Sequence, residues 1–345
     1  MKAVILGISG YTGMILLRML ADHPEVKEII PVSSSKPGEK IIEIDPGIGK
    51  AVMEKTNASN NCTVEISYAI NRKPDVVFAA LPHLTSAVMC EPFFGNSVVI
   101  DLSADLRIKD PALFQKAYNA PPPAPHMLEK AVYGLSEVYE KQIKKADLIA
   151  NPGCYPTCIL FPIIPLAAKK LIEGTIVSNA ASGISGAGKK ATIGNLYVER
   201  TENMCAYLPG KTHRHYTEMK KEIDSFDNSI DLFFTPHLVP IKRGMYATSV
   251  VSLKNSVSAQ DVENAFNEYY KNKKFILLKG EKLTETRDVW GSNRCDISWQ
   301  IQDGKIILFS AIDNLIKGAS GQAVQNMNLR FNFDEAAGLR LYGEL

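Results

Sequence analysis

The amino-terminal stretch "MKAVILGISGYTGMILLRMLADHPEVKEIIPVSS", residues 1–34, decides the fold. A short apolar run predicts a strand that leads into glycines spaced GxxGxxG. The next residues place apolar side chains on one helical face, and a second strand follows within about 30 residues. This order is typical of a dinucleotide-binding unit, in which glycines let the backbone approach a pyrophosphate at a helix N-terminus. The predicted loop comprises Gly7, Ser9, Gly10, Tyr11, Thr12 and Gly13.

The end of the second strand indicates which nicotinamide cofactor the loop would serve. A site for NAD usually carries Asp or Glu there, to bind the ribose hydroxyls. This chain has Ser33, Ser34, Ser35 and Lys36 instead. Hydroxyls beside an ammonium suit a 2′-phosphate, so the sequence favours NADP(H). The alternative is an ordinary polar loop.

Two further apolar runs, residues 75–82 and 97–107, are typical of parallel strands buried on both faces. Polar and small residues follow each run. Ligands of open α/β sheets bind at the carboxyl ends of the strands. We therefore expect binding residues in "ALPH" (80–83) and in "DLSADLR" (101–107).

Cys154 follows the same layout in "DLIANPGCYPT", where a strand ends and a helix begins at Tyr155 or Thr157. A thiol at a helix N-terminus is favoured as thiolate by the positive end of the helix dipole. The sequence thus indicates a nucleophile, with a buried packing cysteine as the alternative. Cys158 lies four residues on, but no second Cys/His pair has zinc-finger spacing, so no metal site is expected.

The second half of the chain changes character. "SNAASGISGAGKK" predicts a strand and then a flexible loop, Ser185 to Gly188, which is either a ligand-contacting loop or a plain linker. Apolar segments at 232–241, 245–253 and 295–312 predict antiparallel strands, the last with a hairpin turn at Asp303-Gly304. Ser258 and Asp261 resemble a capping box. Together these features predict an α+β domain.

The histidines His213 and His215, with Glu218 three residues further on, form the one histidine cluster. A reactive cysteine needs a base and an acid for its proton transfers, and histidine serves either purpose near neutral pH. A charged surface loop would have a similar sequence, so both interpretations stay open.

Composition excludes several classes of protein. The 345 residues are 46% hydrophobic and 22% charged, which is the balance of a globular protein with a core. The net charge of +2 gives no electrostatic footprint for nucleic acid or an anionic membrane. Six scattered cysteines without a CxxC pair favour a reducing cytoplasm, and no targeting signal or spanning segment is expected.

These residues also carry a family resemblance. In chain order from residue 7 to residue 328, the chain resembles N-acetyl-gamma-glutamyl-phosphate reductase, the arginine-biosynthesis enzyme, in "GISGYTG", "ALPH", "DLSADLR", "NPGCYPT", "SGISGAGKK", "HRHYTEM", "PHLVPIKRG" and "DNLIKGASGQAVQNMN". The resemblance implies an α/β protein with a Rossmann-type NADP-binding domain, residues 1–150 with 316–345. It also implies a central α+β catalytic and oligomerisation domain, residues 151–315, and a dimer or tetramer.

The resemblance further implies roles for single residues. Cys154 would displace inorganic phosphate from an acyl phosphate and form a thioester, which NADPH reduces. His215, or else His213, would carry the proton. Arg107, Ser103 and Glu218 would bind the substrate. The implied cofactor-binding residues beyond the loop are Ser33, Ser35, Lys36, Leu81, Pro82, His83, Ser185, Gly186, Ala187, Gly188 and Asn314.

The sequence departs from the family pattern at Leu84, where glycine is frequent. Three alternatives remain. A sister enzyme that reduces amino-adipyl phosphate in lysine synthesis, on a free or carrier-bound substrate, would share every motif. Aspartate-semialdehyde dehydrogenase fits the "HRHYTEM" segment poorly. An NADP-binding regulator on the same fold would have no use for the cysteine and histidines.

Overall fold

The computed structural model describes residues 1–344, which fall into two compact units. The first comprises residues 1–153 and 319–339, and the second comprises residues 154–318 with the tail from residue 340. Each unit is built on a β-sheet of its own.

Residues 1–344 contain thirteen strands, numbered in chain order. They are β1 (Lys2–Leu6), β2 (Glu28–Val32), β3 (Val76–Ala79), β4 (Val98–Asp101), β5 (Val132–Tyr133), β6 (Leu148–Ala150), β7 (Ile172–Gly183), β8 (Cys205–Ala206), β9 (Asp231–Val239), β10 (Met245–Leu253), β11 (Ile276–Gly280), β12 (Cys295–Gln302) and β13 (Lys305–Ile312).

The same residues contain twelve α-helices. They are α1 (Tyr11–Asp22), α2 (Ile41–Ile44), α3 (Lys50–Lys55), α4 (Ile66–Asn71), α5 (Ser86–Cys90), α6 (Pro111–Tyr118), α7 (Ser136–Ile143), α8 (Cys154–Ala168), α9 (Tyr197–Arg200), α10 (Arg214–Phe226), α11 (Ala259–Tyr269) and α12 (Gly321–Arg330). A π-helical turn, Ile316–Ser320, precedes α12.

The first unit is built on a six-stranded sheet in the order β2-β1-β3-β4-β6-β5, with every neighbouring pair parallel. The central strands are buried along their whole length, as their near-continuous apolar sequences predict. The chain moves from β1 to one side for β2 and to the other side for β3. This reversal makes the carboxyl end of β1 the point where a ligand crevice is expected in such sheets.

Helix α12 lies in the core of the first unit although its sequence is polar. Hydrogen bonds to the unit's own groups hold its buried asparagine side chains. The Asn326 side chain donates to the Gly134 carbonyl at 2.8 Å, and the Asn328 side chain contacts the His23 ring nitrogen at 2.8 Å. Burial of amides is tolerated when each has a partner, so a carboxy-terminal helix completes an amino-terminal core.

The second unit is built on a seven-stranded mixed sheet in the order β11-β12-β13-β10-β7-β9-β8. Helices α8, α10 and α11 pack together, and α8 also packs against β7, β10 and β13. Helix α8 is buried from Tyr155 to Ala167. On β10 buried and partly exposed residues alternate, which leaves a second sheet face uncovered by the described chain.

Several local expectations are confirmed. Strands β12 and β13 pair antiparallel across the turn at Asp303-Gly304, and Ser258 with Asp261 forms a capping box on α11. The mixed α/β class is confirmed, with a parallel sheet in one unit and a mixed sheet in the other. The expectation of antiparallel strands was wrong for β9, which pairs parallel with β7 and antiparallel only with the short β8. The predicted helix start at Tyr155 or Thr157 was late, because the helix after the "NPG" turn begins at Cys154 itself.

Candidate active site

Cys154 is the first residue of α8, and it is partly exposed. Strand β6 ends at Ala150, and Asn151, Pro152 and Gly153 turn the chain into the helix. A thiol on the first helical residue lies within the first turn, where the positive end of the dipole is strongest. The local fold therefore places the thiol where its thiolate form is favoured.

A cavity of about 440 Å³ in the second unit is lined by Cys154 and by both histidines of the cluster, His213 and His215. Tyr155, Tyr207 and Arg200 also contribute to its wall. The structure thus brings together the thiol and the histidines, which lie about sixty residues apart in the sequence.

The two histidines differ in their surroundings. His213 caps α10, and its Nδ1 accepts a hydrogen bond from the His215 main-chain N–H at 3.1 Å. Burial, and then the neighbouring Arg214, lower the pKa of His213 to about 4. His213 is therefore neutral near pH 7, with its proton on Nε2. The His215 ring lies 4.9 Å from the His213 ring, centroid to centroid, and is less buried.

The sequence did not single out the tyrosines of this cavity. The Tyr207 hydroxyl donates to the Tyr155 hydroxyl at 3.0 Å, and the Tyr155 hydroxyl donates to the His237 carbonyl at 3.2 Å. Burial raises the pKa of Tyr207 to about 12 and raises that of Tyr155 further, so both are neutral phenols. Tyr155 could have been predicted as a cavity residue, because it follows Cys154 directly in the sequence. The segment "AYLPG" around Tyr207 gives no comparable indication.

Part of the predicted cofactor loop of the second unit lines this cavity, namely Gly186 and Ala187. Ser185 and its neighbours form a short 3-10 turn, Ile184–Ala187. The Asn314 side chain donates to Ser185 Oγ at 3.1 Å and accepts from the Gly244 N–H at 2.8 Å. Asn314 therefore links the Ser185–Gly188 turn to the main chain at Gly244.

Glu218 lies one turn into α10, and its side chain is buried. It is not among the residues that line the cavity within the described chain. Glu218 is thus a buried residue of α10, three residues after His215.

In the first unit, the predicted glycine loop joins β1 to α1. Gly7 has φ +84°, and a Cβ there would lie 2.4 Å from the Ala80 carbonyl oxygen. A Cβ at Gly13 would lie 2.4 Å from the Gly7 carbonyl oxygen, whereas one at Gly10 would meet nothing closer than 3.7 Å. No side chain within residues 1–344 caps α1. Gly7 and Gly13 are thus needed for close packing. Gly10 lies at the uncapped start of α1, where a pyrophosphate would fit.

The predicted 2′-phosphate residues follow β2. Ser33 is buried, and its hydroxyl accepts from the Lys36 main-chain N–H at 3.2 Å. Ser35 is exposed, and the Lys36 ammonium lies 2.8 Å from the Glu39 carboxylate on the surface. An exposed pair of this kind contributes little, so Lys36 can exchange its partner for a phosphate.

The segments after β3 and β4 interlock beside the glycine loop. His83 Nδ1 accepts from the Ala104 N–H at 3.1 Å, and Leu81 lies against Gly7. Leu84 has φ +65°, a conformation that glycine favours, and its N–H donates to Asp105 at 2.7 Å. This left-handed backbone is the physical reason for glycine at position 84 in the family pattern.

Arg107 is almost fully buried after β4. Its Nε donates to the Asn151 carbonyl and its Nη2 to the Leu102 carbonyl, each at 2.8 Å. Ser103 is also buried, and its hydroxyl donates to Asp101 at 2.7 Å. Arg107 therefore ties the end of β4 to the segment just before Cys154.

Within residues 1–344, no group of three or more His, Cys, Asp or Glu side chains could hold a metal ion. No helix within the same residues is long and apolar enough to cross a membrane.

Two family models match this chain. The semialdehyde dehydrogenase NAD-binding domain matches residues 2–146, and the semialdehyde dehydrogenase dimerisation domain matches residues 154–314. Together they cover most of the sequence.

The chain is also similar along its full length to curated proteins named N-acetyl-gamma-glutamyl-phosphate reductase. The protein from Campylobacter jejuni is 41% identical and is aligned over 100% of this chain and 99% of its own length. That from Halothermothrix orenii is 41% identical, and that from Caldicellulosiruptor bescii is 40% identical, each over 99% of both chains.

Solved structures support the fold alone. Aspartate semialdehyde dehydrogenase II from Vibrio cholerae, complexed with ASA, has a TM-score of 0.71 at 18% identity and covers 96% of this chain and 98% of its own. Aspartate semialdehyde dehydrogenase from Candida albicans, with NADP, has a TM-score of 0.67 at 15% identity, over 95% of this chain and 97% of its own.

Proposed function

This chain belongs to the N-acetyl-gamma-glutamyl-phosphate reductase family, and from that premise we propose that it reduces N-acetyl-gamma-glutamyl phosphate to N-acetylglutamate 5-semialdehyde in arginine biosynthesis. The single observation that carries the proposal beyond the family is the cavity shared by Cys154, His213 and His215. The lysine-pathway alternative is not favoured, because the full-length relatives are named for the glutamyl enzyme.

Cys154 is the nucleophile of the proposed mechanism. Its thiolate attacks the acyl carbon of the substrate, the C–O bond to the phosphate breaks, and inorganic phosphate leaves with the bonding electron pair. The product is a thioester on Cys154. Covalent catalysis of this kind splits one difficult reduction into two easier steps. The helix start at Cys154 supports the first step, because it favours the thiolate.

A reduced nicotinamide cofactor, when bound, supplies the hydride that converts the thioester carbonyl to the aldehyde level. The chain must then carry a proton to and from the carbonyl oxygen, because the aldehyde forms only when that oxygen gives up its proton, the C–S bond breaks and Cys154 leaves as the thiolate. His215 fits this role better than His213, because Nδ1 of His213 is engaged as a helix cap and its neutral form is strongly favoured. We assign the proton transfer to His215 and give His213 the part of positioning it.

NADP(H) is the proposed cofactor. A nicotinamide cofactor follows from the matched NAD-binding domain, and the choice of NADP(H) rests on Ser33, Ser35 and Lys36. The glycine loop Gly7–Gly13 and the segment Leu81–His83 lie at the carboxyl ends of adjacent parallel strands in the first unit. This arrangement supports a dinucleotide laid across the end of β1.

We assign the substrate's phosphate to Arg107, with Ser103 beside it. A guanidinium fork suits a phosphate, and the Arg107 side chain lies at the carboxyl edge of the parallel sheet. Glu218 remains a weaker assignment, because it is buried and is not among the described residues that line the cavity.

A homo-oligomer is the proposed assembly. The second sheet presents large apolar side chains on its uncovered face, among them Val177 and Phe233, each nearly half exposed. Adjacent exposed apolar side chains of this size mark an interaction surface. The dimerisation-domain match covers the same strands, and sedimentation equilibrium would give the subunit count.

A reducing cytoplasm is the proposed compartment, because all six cysteines are free and the mechanism requires an unoxidised Cys154.

The test is the reverse reaction. Purified enzyme should sustain the reduction of NADP by N-acetylglutamate semialdehyde beyond one turnover only when inorganic phosphate is present, and the analogue longer by one carbon should react at least tenfold more slowly. Comparable rates with both aldehydes would contradict the glutamyl assignment. Absence of any phosphate-dependent reaction would contradict the proposed function as a whole.

A further inference from the structure

Gly318 lies directly behind the proposed nucleophile. A Cβ at residue 318 would lie 2.7 Å from Cys154 Cβ, 3.2 Å from Cys154 Cα and 3.3 Å from Ile312 Cδ1. Side-chain carbons do not approach one another to 2.7 Å, so any residue other than glycine must displace its neighbours. The Cα and Cβ atoms of Cys154 are fixed by helix α8 and cannot turn away.

The backbone conformation of Gly318 does not itself require glycine. Its φ is not among the positive values in the described chain. Close approach to Cys154 is therefore the physical reason for a glycine at this position, and the atom most directly affected when that approach is blocked is the Cys154 Cβ that carries the sulfur.

The turn that carries Gly318 is held in an unusual conformation. The Gly318 N–H donates to the Asp313 carbonyl at 3.0 Å, a span of five residues that belongs to the π-helical turn Ile316–Ser320. Isolated π turns are rare and are found frequently at functional sites.

Asp313 fixes the start of this turn. It is fully buried, and its Oδ1 accepts from the Leu315 and Ile316 N–H groups at 2.9 and 3.2 Å. Its Oδ2 accepts from the Gly291 N–H at 2.9 Å and lies 2.8 Å from an Arg243 nitrogen. A carboxylate with this many partners has one orientation, so the turn that it organises has one as well.

A second anchor ties the turn to the helix of Cys154. The buried Lys317 ammonium lies 5.2 Å from the ring centroid of Phe161, which is on α8, and 5.4 Å from that of Phe275. A cation over aromatic faces in a desolvated place is attracted to them. Residues 313–318 are thus attached to the sheet at one end and to α8 at the other.

We propose that the turn Asp313–Gly318 is a positioning element for Cys154: the main chain of Gly318 forms the wall that sets the place of the thiol, and Asp313 holds that wall. The inference rests on the proposed function only in taking Cys154 as the nucleophile. Gly318 and Asp313 are positioning residues, since they act through Cys154.

Gly318→Ala is the direct test. The added methyl group should displace the thiol by several tenths of an ångström, and misplacement of a reacting group by about 1 Å costs on the order of a hundredfold in rate. We expect kcat to fall 10- to 100-fold while the Michaelis constants for NADP and phosphate stay within twofold. Equal kcat in the folded variant would overturn the proposal.

The matched control is Gly134→Ala in the first unit. A Cβ there would lie 2.6 Å from Asn326 Nδ2 and 2.8 Å from Ile149 Cγ2, so the position is crowded at similar distances but by atoms other than those of Cys154. It should lose thermal stability and keep the parent kcat per folded molecule. If Gly134→Ala lowered kcat as much as Gly318→Ala, crowding alone would be the cause and the proposal would fail.

Asp313→Asn covers the case in which Gly318→Ala does not fold, because it adds no atom beside Cys154. It should lower kcat about tenfold with unchanged Michaelis constants, and a kcat equal to the parent's would contradict the role of Asp313.

Alkylation of Cys154 by iodoacetamide, followed by peptide mass spectrometry, needs no substrate. A several-fold slower alkylation in Gly318→Ala would support the positioning role even if the parent enzyme proved inactive on the proposed substrate, and an unchanged rate in that event would refute it.

Discussion

At the scale of single residues, the two histidines of the cavity are chemically unequal. The Nδ1 lone pair of His213 is engaged at the start of α10, and burial keeps the ring neutral. His215 is less buried and stands beside it. The two histidines differ because His213 is the N-cap of α10, whereas His215 lies within the helix.

His213 should make the stability of the enzyme depend on pH. Its pKa is about 4 in the folded chain and about 6.5 when unfolded, so the unfolded state binds more protons between these values. The folded state then loses stability as pH falls from about 6.5 to about 4, by roughly 3 kcal/mol at most. The loss is absent above that window.

His213→Asn checks this expectation, since asparagine is a good helix cap that does not titrate in this range. Thermal unfolding at pH 7 and at pH 4 should show a shallower loss of stability in the variant than in the parent. Parallel pH profiles for the two proteins would contradict the buried, neutral state of His213.

Arg107 has a structural task and a proposed substrate task, and a substitution series separates them. Removing a charge-assisted contact costs about 1.5–3 kcal/mol, or roughly ten- to a hundredfold in affinity. Arg107→Ala should therefore raise the Michaelis constant for phosphate in the reverse reaction by that factor and leave that for NADP little changed.

Arg107→Ala should also lower thermal stability, because the Asn151 and Leu102 carbonyls lose their buried donor. Arg107→Lys should restore the phosphate affinity only in part, since it keeps the charge and loses the fork. A variant with reduced stability but an unchanged phosphate dependence would show that Arg107 is structural only.

At the scale of elements, the glycine loop contains glycines of two kinds. Gly13 is required by the packing of α1 against the loop, whereas Gly10 has open space beside its Cα. Gly13→Ala should lower the thermal stability of the cofactor-free enzyme. Gly10→Ala should leave that stability within about 0.5 kcal/mol of the parent's and weaken NADPH binding at least tenfold.

Differential scanning fluorimetry without cofactor, together with fluorescence titration of NADPH, measures both quantities. The opposite pattern, in which Gly10→Ala is unstable yet binds NADPH normally, would refute the placement of the pyrophosphate at the start of α1.

The residues that follow β2, Ser33 to Lys36, should determine which nicotinamide cofactor is preferred. The kcat/KM with NADPH should exceed that with NADH. Ser35→Asp should lower the ratio of these two values at least tenfold, because a carboxylate repels a 2′-phosphate and suits a free ribose hydroxyl. Ser35 is exposed, so the substitution should not disturb the fold. Steady-state kcat/KM with both cofactors is the measurement, and equal values in the parent enzyme would contradict the assignment of NADP(H).

The predictable elements are those whose causes are local. The hairpin at Asp303-Gly304 and the cap at Ser258 follow from turn and cap chemistry within four residues. The parallel strands follow from near-continuous apolar runs that end in small and polar residues. The start of α8 was placed slightly late, because the preceding "NPG" turn hides that Cys154 is already helical.

Features with distant causes could not be predicted. One partner of Arg107, the Asn151 carbonyl, lies 44 residues away along the chain. The contact of Gly318 with Cys154 depends on the π turn and on Asp313. Helix α12 contributes Ala323, Val324 and Met327 to the core, but its glutamines and asparagines are buried as well, which its sequence does not show. Each of these contacts joins residues from different parts of the chain, so local sequence patterns do not predict it.

At the scale of the whole molecule, the chain divides the proposed chemistry between its two units. The dinucleotide loop, Arg107 and Ser103 belong to the first, and Cys154 with both histidines belongs to the second. The second unit also presents the apolar sheet face proposed for self-association. Both family models are thus needed to account for the one proposed reaction.

The most direct test of that reaction is rapid mixing of the enzyme with NADP and N-acetylglutamate semialdehyde in the absence of phosphate. We expect a burst of one NADPH per active site and then near arrest, with the acyl group found by mass spectrometry on the peptide that contains Cys154. Adding phosphate should start steady turnover, and Cys154→Ser should give no burst. Steady NADPH formation without phosphate, or an acyl group on any other residue, would contradict the thioester at Cys154.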